Sequence, residues 1–402
     1  MHWEDLRRRK PPEGLKAEEW WAALQLARAS IFKPVDGLRD VHAQPFRFAM
    51  VDPIPEQLHR LDLQAGGKIE TPEPLLPEMR DRYIVSSLME EAITSSLLEG
   101  AHTTRVAAKE MLRSQREPQS RGEQMVLNNF IAMQRIRELR GEVLTLDLLL
   151  EVHRMLTEDT LDKEDGAGRL RRADESVVVA DLYNQIYHVP PSAEQLEERL
   201  ERLFDFANRE EGPFIHPVLR AIILHFWLAY EHPFVDGNGR TARALFYWAM
   251  LRSNYWLFEF VPISPPIYRT PKTYYRAFLY TETDHNDLTY FVLYHLAVID
   301  RALRDLYAYL NRKVEEVHRA ERELRALEGF NHRQKALLSH ALRHPTARYT
   351  VESHRHSHQV AYETARSDLL ELVQKRLLRK EKEGKRLVFR PAGRLRAKAA
   401  KR

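Results

Sequence analysis

The sequence predicts a mainly α fold with short β-hairpins, and three observations predict it. Apolar residues recur at helical spacing over long stretches, as from Glu123 to Arg140, where Met125, Val126, Phe130, Met133, Ile136 and Leu139 fall on one stripe. A run from Leu288 to about Leu327 is far too long for a strand: amphipathic at first, then highly charged, as a connector should be. β-Prone residues are confined to brief paired segments near 177–189 and 380–390, so no strand–helix alternation builds a parallel sheet.

Composition bounds the function classes. A chain of 402 residues has room for two or three domains at ~150 residues each. With no cysteine, disulfides and thiolate metal sites are excluded. The N-terminus lacks the apolar stretch of a signal peptide, and the longest apolar runs are broken by His225, Tyr230 or Asp300. A cytoplasmic protein without a membrane span is expected. The net charge of +4 hides an asymmetry: Lys375–Arg402 carries 13 Lys and Arg against 2 acids, net +11, which leaves the remainder at −7. Basic charge is thus a property of the C-terminal tail, as in a local interaction surface.

In chain order, residues 1–75 are punctuated by prolines around one helical stretch, Glu18–Arg28, and are expected to form a collar on something larger. Residues 76–100 are expected to be helical, with Tyr83, Ile84, Leu88, Ile93 and Leu97 inward and Gly100 as its left-handed cap. Glu99 is oddly placed there, because an acid in the last turn opposes the helix dipole unless a cation sits nearby. Further helices follow to about residue 160, with Thr145 capping Leu146–Leu156 and His153 expected as a packed core residue. Residues 161–191 change character: Gly166 and Gly168 break the helix, and Val177–Val179 and Gln185–Val189 form a hairpin. A helix at about 192–209 precedes a second one over Pro217–Glu231. Beyond the next helix, to about Leu251, Pro262, Pro265 and Pro266 read as a loop, and Tyr274 and Tyr275 follow within Tyr268–Tyr280. Residues 330–392 form a separate unit of two helices and a hairpin turning at Gly384, with a basic tail at 393–402. His354-x-His356-x-His358 reads as a solvated loop, since no acid partner is evident.

Between the two central helices lies the segment with the densest chemistry, His232-Pro-Phe-Val-Asp-Gly-Asn-Gly-Arg-Thr-Ala-Arg243. Glycines before a helix let successive N–H groups converge on an anion, and the helix N-terminus adds positive potential. Arg240 and Arg243 share a helix face and can grip separate phosphates. Asp236 suits Mg²⁺, which binds through one or two carboxylates plus substrate phosphates. Gly237-x-Gly239-x-x-Ala242 also fits a dinucleotide fingerprint, but a helix precedes it instead of a strand. A calcium loop from Asp236 fails because Arg240 and Thr241 occupy its fifth and sixth positions.

The segment resembles the Fic family motif, His-x-Phe-x-(Asp/Glu)-Gly-Asn-Gly-Arg-x-x-Arg, at every specified position; many relatives carry Gly where Ala242 stands. The resemblance implies a helical Fic core, taken as residues 76–325, that transfers AMP from ATP to a Ser, Thr or Tyr hydroxyl of a target protein. It implies His232 as catalytic base and Asp236 as the Mg²⁺ ligand. Gly237, Asn238, Gly239 and Arg240 would hold the inner phosphates and Arg243 the γ-phosphate. Ser95-x-x-x-Glu99-Gly100 is similar to the family's inhibitory motif, whose glutamate pairs with the last arginine, here Arg243; the inhibitory helix would span about 79–100. The hairpin at about 174–189 would be the flap that holds the target segment, and Tyr274 or Tyr275 would approach the adenine. Residues 330–392, with Thr364-Ala-Arg-x-Asp-Leu-x-x-Leu372, resemble a winged helix-turn-helix, which makes nucleic acid a candidate partner. A homodimer is a candidate assembly. Two alternatives use the same residues: removal of AMP from a modified protein with Glu99 positioning water, and a DNA-binding regulator with a nucleotide-sensing core.

Overall fold

The computed structural model describes residues 1–66, 77–162, 164–175, 177–180, 186–326, 329–344, 347–383 and 386–392. Residues 181–185 of the expected flap, Gly384 and the basic tail lie outside them, as does the side chain of Tyr83. The described chain is mainly helical, and its strands form three separate antiparallel pairs. It divides into two compact units, residues 1–70 with 83–303 and residues 71–82 with 304–402.

In the first unit, Pro217–Glu231 and Asn238–Arg252 form the buried centre, with Ile222, Phe226 and Phe246 at 0% exposure. Pro217–Glu231 is apolar on nearly every face, as expected of a helix surrounded by protein, while Asn238–Arg252 opens on the polar motif residues and turns apolar from Ala244 to Leu251. Thr145 caps Leu146–Thr157 by accepting from Leu148 N at 3.2 Å, as its sequence position predicts. The N-terminal residues supply more than the single expected helix. Phe32–Arg39 and Pro45–Ala49 pair as a hairpin with a register shift between Pro34 and Arg39. The prolines obscured this hairpin; two-stranded edges tolerate proline because an unpaired residue needs no N–H donor. Phe46 then packs between Phe226 and Tyr230 at 5.2 and 5.0 Å, and Arg28 pairs with Asp284 and Asp287 at 2.9 and 2.8 Å. The expected proline loop also differs: Ser264–Arg269 is a helix, because Pro265 and Pro266 sit in its first turn, where no N–H is needed.

The second unit carries its own core, with Leu338, Leu369, Leu372 and Phe389 at 0% exposure. Helices His332–Arg343, Val351–His358 and Tyr362–Gln374 precede the strands Leu378–Glu383 and Arg386–Pro391, and Tyr349 bridges to Phe389. The histidine run is helical, not a loop. Thr350 and Ser353 cap it, and His354 is buried against Asp368 at 3.2 Å while His356 stays exposed. Residues two apart point to different faces of a helix, so the three histidines cannot converge.

Candidate functional site

The loop 232–237 is held by the residues around it. His232 ends its helix in the left-handed region at φ 46°, and Gly237 starts the next at φ 84°. Asn238 closes the loop with its side-chain amide, accepting from Phe234 N at 2.9 Å and donating to Phe234 O at 2.8 Å. Its side chain thus braces the loop, while its backbone N–H and the second hydrogen of its amide remain to meet an anion. A Cβ on Gly237 would stand 2.5 Å from Thr157 Cγ2, so glycine is required by space as well as by backbone angle.

His153 lies beneath this loop. The ring stacks on Phe234 at 3.6 Å, accepts from Gly168 N at Nδ1 (3.0 Å) and donates from Nε2 to Asp236 O at 2.9 Å. These two bonds fix one neutral tautomer, and burial pushes its pKa down to about 4. It is packed, as expected, but it packs the motif loop itself. Arg171 is a second support that sequence reasoning missed. It donates to His232 O at 2.9 Å and to Pro191 O, and its own N–H bonds Pro233 O at 2.9 Å. No sequence signal singles out this arginine.

His232 has a defined protonation state. Its Nδ1 donates to Ala229 O at 3.2 Å, which leaves the Nε2 lone pair as the basic position. Burial pushes its pKa down to about 4. His188, on the strand Ile186–His188, contributes to that shift. Its two nitrogens face Glu282 Oε2 and Tyr230 O, both at 2.7 Å, and although burial opposes its charge the Glu282 bond holds its pKa above the ordinary value. Val179–Ala180 pairs with that strand, so the described ends of the expected hairpin do meet.

Two guanidinium groups, each about 1% exposed, lie under the helix start. Arg240 donates to Leu156 O at 2.7 Å, while its Nε and Nη2 make no hydrogen bond; Asp236 Oδ2 stands 3.7 Å from Nη2. Arg243 donates from Nε to Ser95 Oγ (2.8 Å) and from Nη2 to Ser95 O (3.0 Å) and Glu99 Oε1 (2.8 Å), with Nη1 unbonded. Buried cations without full partners favour an anion strongly. Glu99 supplies part of it: its Oε1 would be 2.2 Å from a Cβ on Gly239, so the carboxylate rests against the helix N-terminus. Gly100, at φ 81°, ends the helix Pro77–Leu98 as expected, with Ala101 N bonded to Ser96 O at 3.0 Å. The structure thus brings Ser95, Glu99, Gly239 and Arg243 together and sets His232, Asp236 and Arg240 around the same loop.

Asp236 fits a Mg²⁺ held by one carboxylate and substrate phosphates. Its side chain is 48% exposed at the mouth of the loop, and Oδ1 accepts from Gly237 N at 2.5 Å. Of the two tyrosines, Tyr274 is buried and bonded to His225 Nε2 at 3.0 Å, while Tyr275 is 50% exposed with its ring 5.4 Å from that of Tyr274.

Residues 143–250 match the model of the Fic/DOC family. The chain is 29% identical over 167 residues to a protein adenylyltransferase Fic of Nematostella vectensis, covering 41% of this chain and 34% of that relative. It is 33% identical over 152 residues to the Drosophila virilis protein of the same name, covering 37% and 28%. The chain thus spans about a third of the length of these curated relatives. A crystal structure of a Fic family protein from Desulfovibrio desulfuricans G20 shares the fold with a TM-score of 0.56 at 18% identity, over 86% of this chain and 97% of that one. With the helical fold and the complete motif in place, residues 143–250 are a Fic/DOC-family domain.

Proposed function

We propose that this chain is an autoinhibited protein adenylyltransferase. The observation that carries the reading is the Glu99 carboxylate seated on Arg243 and against Gly239, a protein anion in the place prepared for a phosphate. In the active form that anion is ATP. The N–H groups of the helix start and Arg240 take the inner phosphates, and Arg243, released from Glu99, takes the γ-phosphate. Asp236 would hold Mg²⁺, which supplies charge neutralisation on the phosphates. His232 is neutral, with Nε2 making no hydrogen bond among the described residues, so it can accept the proton of a target hydroxyl as the oxygen attacks the α-phosphorus and pyrophosphate leaves. Positioning and preset positive charge supply most of the acceleration in such transfers. The pair at Val179–Ala180 and Ile186–His188 would hold the target segment by strand pairing. In the second unit, helix, bridged residue, two helices and hairpin follow the order of a winged helix-turn-helix, which supports that reading of residues 330–392.

Purified protein incubated with labelled ATP tests this. Glu99→Gly is expected to raise self-modification at least tenfold, and His232→Ala in that background to abolish it. No gain from Glu99→Gly would overturn the inhibitory role. One observation favours a second activity: among the described residues Glu99 is bonded through Oε1, to Arg243, which leaves Oε2 able to orient a water. Release of AMP from a pre-modified protein by the unsubstituted chain would show it.

A further inference from the structure

Between the helix Pro77–Leu98 and the motif helix the contacts repeat every four residues. Glu99 meets Gly239, Ser95 meets Arg243, and Glu91 meets the Tyr247 hydroxyl. The numbers fall by four on one helix as they rise by four on the other, so the two run antiparallel with their one-turn rows in register. Glu91 is 2% exposed and lies outside the motif. It accepts from Ser264 N at 2.9 Å and from Ser264 Oγ at 2.5 Å, and Ser264 is itself fully buried at the start of Ser264–Arg269. One turn earlier Ser87 donates to Phe260 O at 2.6 Å. The polar stripe Ser87, Glu91, Ser95 and Glu99 therefore faces the core along about three turns, and only its last two members belong to the inhibitory motif.

We infer that Glu91 is a positioning residue of inhibition: it locks the inhibitory helix to Ser264 and so holds Glu99 on Arg243. A buried carboxylate with two donors is a far stiffer anchor than the Glu99 pair alone, whose carboxylate is 25% exposed. Glu99 follows the last helical residue, so its reach to Arg243 depends on the register of the turns before it. Loosening the anchor frees Arg243 part of the time without touching any group that would contact ATP. The inference rests on the adenylyltransferase reading for its activity readout, and on the contacts alone for its structural one.

The test places Glu91→Gln, and separately Ser264→Ala, in the unsubstituted chain and in the Glu99→Gly chain. An amide is uncharged and has a single acceptor oxygen, so Glu91→Gln can still accept from Ser264 N but meets the Ser264 hydroxyl only by donating to it, which turns two charged bonds into neutral ones; Ser264→Ala removes the hydroxyl bond outright and serves should the first variant fold poorly. Two measurements are made on each: labelled self-modification, and amide hydrogen exchange over Leu88–Leu98. The expected result is faster exchange in that helix in both backgrounds. Self-modification should rise several-fold, on the order of the equilibrium factor of one ordinary net hydrogen bond, in the unsubstituted chain and by less than about twofold with Glu99→Gly. Unchanged exchange overturns the anchor. Equal activity changes in both backgrounds, or a loss in the unsubstituted chain, overturn the regulatory role. Faster exchange while Glu99→Gly itself stays silent upholds the anchor and counts against the adenylyltransferase reading instead.

Discussion

His153 shows how a buried imidazole can be a support for a site without touching a ligand. Its two nitrogens are committed, one accepting from Gly168 and one donating to Asp236 O, and its ring lies flat on Phe234. A charge there would break the Gly168 bond, and burial already holds the pKa near 4. The folded chain therefore refuses a proton that the unfolded chain, at about 6.5, accepts. The native state binds fewer protons in this window, so stability is full above pH 6.5 and falls as pH drops from 6.5 to 4, by about 3 kcal/mol for this one residue. Denaturant unfolding at pH 7 and pH 5 should show the loss, and His153→Gln, which cannot titrate, should make the pH dependence shallower. His232 has the same direction of shift. Its base form should persist well below neutral pH, so the self-modification rate of the Glu99→Gly chain should show no His232 limb between pH 6 and 8.

At the scale of elements, the motif helix owes its start to a glycine that cannot be replaced. Gly237→Ala combines a positive φ with a Cβ 2.5 Å from Thr157 Cγ2, and should cost on the order of 2–4 kcal/mol of stability. A lowered melting temperature with unchanged helix content in the survivors would bear this out; an unchanged one would count against it. The elements also mark where local sequence was a sufficient guide. Pro217–Glu231 and the cap at Thr145 were legible because proline at N1 and threonine at the N-cap act within a few residues. The hairpin Phe32–Ala49 was not, since its stability comes from Phe46 reaching Phe226, about 180 residues away. Likewise Ser264–Arg269 looked like a loop because of its prolines, and the buried bonds from Ser264 to Glu91, 173 residues earlier, were not visible in the local sequence.

At the scale of the whole chain, the second unit has a core of its own around Leu338, Leu369 and Phe389. Removal of residues 327–402 should leave self-modification by the Glu99→Gly chain within about threefold, as expected when a domain holds its own site. Residues 329–392 produced alone should melt cooperatively. Among the described residues, no helix is long and apolar enough to cross a membrane.

The sequence by itself determined the helical class and the chemistry of residues 232–243, because both rest on spacing within a few turns; the pairing of Glu99 with Arg243, 144 residues apart, was implied only by the resemblance of Ser95–Gly100 to the family's inhibitory motif. The tertiary structure alone decided which groups hold that chemistry in place. Asn238 turned inward to close the loop, His153 and Arg171 came from other elements to brace it, and Glu91 joined Ser264 across 173 residues. Such partners are chosen by packing in three dimensions, and a buried polar group must find its hydrogen bond wherever the fold supplies one.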